Sequence, residues 1–444
     1  MAKPTMMTVS LRALFAVGGN RQARWGSTES HPVAKATVGI EGTELSTTTL
    51  TYGNAQLDVS ALSSGEYILA LTPDAGNLLR PTSEPVNASD GNTTDAPGTC
   101  RYRPLKIKLS LSNSNGVVKI EAADTCDEAT HGVAFIQSST SLLVDWKPDW
   151  IACRHSGVRP AKVTPTVVLL HRTGGPTPGS AIDTFLPAPT SSHYLVDTDG
   201  HIIKLVHEDL VANHAGMSWW NGQNRVGNIS VGIEIVNSDG DFTQPQYDAV
   251  IRIIKDLKLK YPSITRHGVL GHGEVRVRND KNLAQFIKQP TKTPLHDLTL
   301  ENRPGCPGVF FDWTQLESEE LSSKADPSLF SENAIGQEYD GYFKDNPYAK
   351  LTNLTTDAKV LKKDKTSYGV IASLQADLST LGYSVNAVDG VTPTGTYDAA
   401  TQAAVDRFRR RYVPGSVKSN ATLSPIFDRA TAIALKRVLL DRQR

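Results

Sequence analysis

Val231-Gly232-Ile233-Glu234-Ile235-Val236-Asn237 is an apolar run with a single carboxylate at its centre. A short apolar run bounded by polar residues predicts a strand buried on both faces. Thr166-Val167-Val168-Leu169-Leu170 is a second such run, and it ends on His171. Downstream, Gln244 to Lys260 sets Val250, Ile251, Ile253, Ile254, Leu257 and Leu259 near the helical repeat, which predicts a helix packed on the sheet. Buried strands alternating with helical stretches give a central α/β domain over 150–316, a mixed sheet flanked by helices. Open sheets of this kind place their sites at strand ends. His171 emerges at such an end, and Glu234 points from a central strand toward the same surface.

Two further residues join that surface by chemistry rather than by proximity in sequence: His272 in Gly271-His272-Gly273-Glu274 and Cys306 in Gly305-Cys306-Pro307-Gly308. Two imidazoles and a thiolate would leave one position of a tetrahedral zinc open for water, the feature that separates a catalytic zinc from a closed structural one. A lone histidine beside a strand is more often a hydrogen-bonded core residue, and Cys306 has a disulfide with Cys153 as its competing reading. Asp312 and Asp280 stand as other third ligands.

The surrounding text runs in one order: Ser192-His193-Tyr194-Leu195-Val196-Asp197-Thr198-Asp199-Gly200 as strand, turn and return strand, then His214-Ala215-Gly216-Met217-Ser218-Trp219, the Glu234 run, and the His272 turn. From Val163 to Leu316 this order resembles the zinc amidase family of bacterial N-acetylmuramoyl-L-alanine amidases, amidase-type phage lysozymes and peptidoglycan recognition proteins. The resemblance implies zinc on His171, His272 and Cys306, with Glu234 beside the metal-bound water. It implies Tyr194 as a donor to the tetrahedral oxyanion. The family often carries a lysine two residues before the third ligand. Pro304 stands there in this chain, and Arg303 is the nearest cation. The link from Arg276 to Asn302 is longer than usual for the family. His214 is expected to stabilise the loop beside the cleft, and Trp219 and Trp220 offer faces for a sugar or peptide to stack on. The implied reaction is hydrolysis of the amide between N-acetylmuramic acid and the L-Ala of peptidoglycan stem peptides. A non-catalytic peptidoglycan recognition protein, or a structural component of a phage tail or secretion device with an accessory amidase, are the competing readings.

On either side of this domain the pattern changes. From 33 to 149, Gln56-Leu57-Asp58-Val59, Tyr67 to Leu71 and Leu105 to Leu111 alternate with a period of two, predicting an N-terminal β-sandwich of antiparallel strands. Pro85 to Gly98 is a long polar loop within it. This domain carries no catalytic constellation and reads as a spacer or as a docking module for a delivery or particle partner. Residues 1–32 are expected to be a flexible N-terminus and 317–364 a linker. Over 365–444, helical spacing of Leu374, Leu378 and Leu381, and of Ala400, Ala404, Val405 and Phe408, predicts a small three-helix domain. Its Leu381-Gly382-Tyr383, Asp389-Gly390 and Ala404-Val405-x-x-Phe408 segments resemble the peptidoglycan-binding domain attached to many cell-wall hydrolases.

Composition excludes some partners. With 46 acidic and 46 basic residues among 444 there is no net charge to draw the chain to nucleic acid or to a membrane surface. No apolar stretch approaches the roughly 20 residues needed to span a bilayer. The first 28 residues contain no acid, and the apolar run Ala13 to Val17 is shorter than a secretory core of about 7–15 residues. Delivery to the periplasm or cell wall by a secretion apparatus or by phage lysis is therefore expected. Four cysteines are few for a disulfide scaffold, although Cys100 and Cys126 can pair across the strand-rich segment.

Overall fold

The computed structural model describes residues 6–13, most of 31–72, the strands between 100 and 151, residue 153, residues 155–185, 189–276, 305–330 and 337–360 except 345, and 369–444 apart from loop positions near 387 and 414–423. The 85–98 loop, Asp280, Arg303 and Cys126 lie outside the described residues, as does the side chain of Cys100.

The central domain is built on a mixed seven-stranded sheet in the order Val269–Gly271, Val167–Arg172, Ser230–Ile235, Tyr194–Val196, Ile202–Lys204, Trp150–Ile151, Cys100–Arg101. Its middle strands are parallel, and both Val167–Arg172 and Ser230–Ile235 are flanked by strands on each side. That position explains their unbroken apolar text, because neither face meets water. The helix Gln244–Lys260 covers one face through Val250, Ile253, Ile254 and Leu257. Thr243 opens it with a reciprocal capping box to Gln246, which satisfies two otherwise orphaned backbone groups. Cys100–Arg101, expected inside the N-terminal unit, instead forms the outer edge of this sheet.

Two five-stranded sheets precede the central domain. In the strand Leu105–Ser114, Leu105, Ile107 and Leu109 are fully buried while Lys106 and Lys108 are exposed, so the period of two is followed residue by residue. Met6–Ala13, expected within a flexible N-terminus, is a strand parallel to Ser141–Trp146 and antiparallel to Asn54–Asp58. Met7, Val9 and Leu11 alternate inward there, and burial of three large side chains is reason enough for the segment to order.

The 317–364 segment is likewise not a free linker. Gln337–Phe343 and Asp357–Val360 are helical, and Tyr339 and Phe343 are buried in one core with Val370, Leu374, Phe408 and Phe427. Three helices, Val370–Thr380, Ala399–Tyr412 and Arg429–Asp441, complete this C-terminal unit. Asp398 and Asp428 cap the second and third by accepting from Thr401 and Thr431. The same core includes Val167, Leu169, Leu270 and Val275 of the central domain. The unit is therefore packed on the face of the central sheet opposite Gln244–Lys260, over the strands Val167–Arg172 and Val269–Gly271. Arg411 lies over Trp313 with its guanidinium carbon 3.1 Å from the ring centroid, and Arg266 reaches Asp441.

Candidate metal centre and cleft

Parallel register decides the first half of the site. His171 is the register partner of Glu234 on the adjoining strand, and His171 Nδ1 stands 3.8 Å from Glu234 Oε1. The second half comes from two turns. His272 opens the short helix His272–Val275 directly after the edge strand. Cys306 lies in a turn tied to it by Gly273 N–H, which donates to the Cys306 carbonyl at 2.8 Å. One ligand atom from each of His171, His272 and Cys306 falls within 4.8 Å of the others, the one such grouping among the described residues.

Both histidines have their other ring nitrogen engaged. His272 Nε2 lies 3.1 Å from the Ala215 carbonyl, and His171 Nε2 lies 3.0 Å from His214 Nδ1. Such partners fix ring orientation and leave the opposite nitrogen for a metal. His214 is in turn placed by Ser230, 3.3 Å from its Nε2. Burial, followed by the neighbouring histidines, holds His171 well below the usual imidazole range, and burial takes His272 down to about 4. Both rings are therefore neutral near neutral pH, the form in which imidazole binds metal. Burial pushes the Cys306 thiol up to about 12, against which the Arg172 N–H offers a bond to sulfur at 3.3 Å. A half-buried thiol held in its protonated form gives up that proton when a cation is placed beside it.

Glu234 completes the set. Burial alone raises its carboxyl to about 8, and its Oε2 has no hydrogen-bond partner among the described residues. A buried, unpartnered carboxylate oxygen beside three convergent ligand atoms fits a metal and a water that it would hydrogen-bond. These groups open onto a cleft of about 660 Å³, which His214 and Arg276 also line. That volume is in the range of sites that enclose a small molecule or a peptide segment.

The other expected site residues lie elsewhere. The Tyr194 hydroxyl donates to Glu208, a carboxylate also paired with Lys204 and Lys260, and Tyr194 does not line the cleft. Trp219 and Trp220 are buried, with Trp220 edge-on to Tyr383 at 5.1 Å and both rings against the C-terminal unit at Gly390 and Gly382. They are docking residues because a large apolar ring gains more from burial against another domain than from exposure at a rim. The Asp312 carboxylate accepts from Thr314 and Gln315, outside the ligand cluster. Neither Cys153 nor Cys306 is in a disulfide, and Cys153 is buried with its sulfur 3.4 Å from the Phe185 carbonyl, so the disulfide reading of Cys306 falls. The Ala215 carbonyl had no sequence signal, since any residue supplies one.

Comparison with known proteins gives a consistent picture. Residues 161–286 match the N-acetylmuramoyl-L-alanine amidase family. A Rickettsia conorii protein assigned to the N-acetylmuramoyl-L-alanine amidases is 26% identical over 266 residues, 59% of this chain and 80% of the relative. The 1,6-anhydro-N-acetylmuramyl-L-alanine amidase AmpD of Enterobacter cloacae is 31% identical over 86 residues, 19% of this chain and 46% of that protein, so the chain spans about half of this relative. Among solved structures, a complex of the N-acetylmuramyl-L-alanine amidase AmiD from E. coli aligns at 22% identity with a TM-score of 0.41, covering 63% of this chain and 91% of the other.

Proposed function

Because residues 161–286 match the N-acetylmuramoyl-L-alanine amidase family, we propose that this chain is a zinc-dependent peptidoglycan amidase that cleaves the bond between N-acetylmuramic acid and the L-Ala of the stem peptide. The observation that carries this reading is the meeting of His171, His272 and Cys306 ligand atoms within 4.8 Å beside Glu234, whose buried Oε2 has no hydrogen-bond partner among the described residues.

When bound, zinc supplies Lewis-acid polarisation of the amide carbonyl and lowers the pKa of water toward about 7. The chain's own residues do the rest. His171 and His272 enter as neutral rings oriented by His214 and by the Ala215 carbonyl. Glu234 takes the proton from the attacking water and returns it to the leaving nitrogen. Burial disfavours its charged form, and a carboxylate so placed can both accept and return a proton. The open cleft admits the lactyl and peptide arms on either side of the scissile bond.

The C-terminal helices are the wall-binding part in this reading, supported by the resemblance of their Leu381-Gly382-Tyr383 and Asp389-Gly390 segments. The N-terminal strands would serve as a β-sandwich docking module toward a delivery partner. Action at the cell wall or in the periplasm follows from the substrate. No helix among the described residues is long and apolar enough to cross a membrane.

Mass spectrometry of products released from purified peptidoglycan, with and without a zinc chelator, tests the proposal. Stem peptides beginning at L-Ala are expected, abolished by chelator and by Cys306→Ala. Binding without release would establish a recognition protein instead, and fragments cut within the peptide would replace the substrate.

A further inference from the structure

The turn that carries His272 is not held by the central domain alone. Glu274, 6% exposed, uses both carboxylate oxygens: Oε2 accepts from the Gly271 N–H at 2.7 Å, and Oε1 accepts from the Tyr383 hydroxyl at 2.7 Å. Gly271 immediately precedes His272, whereas Tyr383 belongs to the C-terminal unit, where it is 2% exposed. A single hydrogen bond to a backbone N–H leaves a carboxylate free to swing about its terminal torsion. A second bond from a rigid, buried phenol removes that freedom, and the loss of either partner would strand a buried polar atom.

The Cys306 turn is held against the same place. Besides the Gly273 bond, Gly271 has no room for a side chain, since a Cβ there would lie 2.9 Å from both the Cys306 carbonyl oxygen and Pro307 Cδ. Trp313 borders the same spot at 3.4 Å and is covered in turn by Arg411. A shift of the His272 turn therefore moves two of the three ligands together. His171 is placed differently, by its register with Glu234 on one side and by the pairing of the preceding Leu170 with Gly271 on the other.

We propose that Tyr383 is a positioning residue of the metal site, holding the Gly271-His272 turn in ligand geometry through Glu274. The C-terminal unit is then a structural part of the metal centre as well as a neighbour of it. This rests on the reading that His171, His272 and Cys306 bind zinc.

The test uses the full chain with Co²⁺ in place of zinc, its affinity measured by competition with a chelating dye and its geometry read from the thiolate and ligand-field absorption. Tyr383→Phe keeps the ring against Trp220 and removes only the hydroxyl. It is expected to weaken Co²⁺ binding about 10-fold, the scale of a lost outer-shell partner, and to shift the absorption bands. Glu274→Ala should weaken binding at least as much, and adding Tyr383→Phe to it should change nothing further, because the hydroxyl acts through that carboxylate. Arg266→Gln, which removes the contact to Asp441 without touching Glu274, should leave affinity and spectrum unchanged. Wild-type affinity and bands in Tyr383→Phe would overturn the proposal, as would additive losses in the double variant or an equal loss in Arg266→Gln. If the unaltered chain bound no Co²⁺ or zinc, the ligand assignment itself would fall and this proposal with it, a result distinct from the others.

Discussion

The candidate metal centre has two halves built by different means. His171 and Glu234 sit on adjacent strands in the middle of the sheet, where backbone pairing on both sides fixes their separation. His272 and Cys306 sit on turns, and those turns lean on each other, on Tyr383, which lies 109 residues beyond Glu274, and, through Trp313, on Arg411. A site on strands is positioned by the ladder itself, whereas a site on turns needs side chains from elsewhere to hold it. The comparison teaches that the strand half should govern chemistry with little regard to domain packing, while the turn half should be sensitive to it.

The largest effect belongs to the strand half. Glu234→Gln removes the proton acceptor while leaving all three ligand atoms, so turnover should fall by about 10²- to 10⁴-fold with bound zinc retained. Product release assayed beside metal analysis checks this, and retained activity would take Glu234 out of the base role. The turn half is probed from a distance by Gly382→Ala. Gly382 has φ +103°, and a Cβ there would lie 2.7 Å from the Trp220 ring. Strain and the displaced ring together should cost about 1–3 kcal/mol, read as a lower midpoint in thermal or urea unfolding. If zinc affinity then stayed at the wild-type value despite that loss, the contrast between the halves would be weakened.

The smallest effect concerns pH in metal-stripped protein. Burial raises the folded-state carboxyl of Glu234 to about 8 from its ordinary 4.5. The folded chain then holds a proton that the unfolded chain releases, so this group's contribution is full below about 4.5 and is lost as pH rises toward 8. His272, lowered to about 4, works in the other direction, its contribution being lost as pH falls from 6.5 toward 4. The difference between wild type and Glu234→Gln isolates the carboxylate: the variant should show a flatter decline between pH 4.5 and 8 in urea titrations. Parallel curves for the two proteins would mean that Glu234 is better solvated than its burial implies.

Much of this was legible in the chain, and the gaps have physical causes. The two buried strands, the helix Gln244–Lys260 and the alternating strand Leu105–Ser114 follow from local periodicity, which a sequence displays directly. The candidate ligands His171, His272 and Cys306 were legible through their residue types together with the resemblance of the surrounding text to a known family. Tyr194, Trp219 and Trp220 went elsewhere because an aromatic residue carries no local mark of which neighbour will cover it. The segment 317–364 looked like a linker for a similar reason, since Tyr339 and Phe343 are ordered only by a core made of residues beyond 369.

By itself, then, the sequence determined the strands, the helices and the kinds of atoms offered as candidate metal ligands, since propensity, periodicity and ligand chemistry are properties of short stretches. Only the tertiary structure decided which atoms converge, that the Ala215 carbonyl and His214 orient the rings, and that Glu274 joins the His272 turn to Tyr383. Those contacts bridge up to 109 residues of chain, and bonds across such separations depend on how whole domains pack.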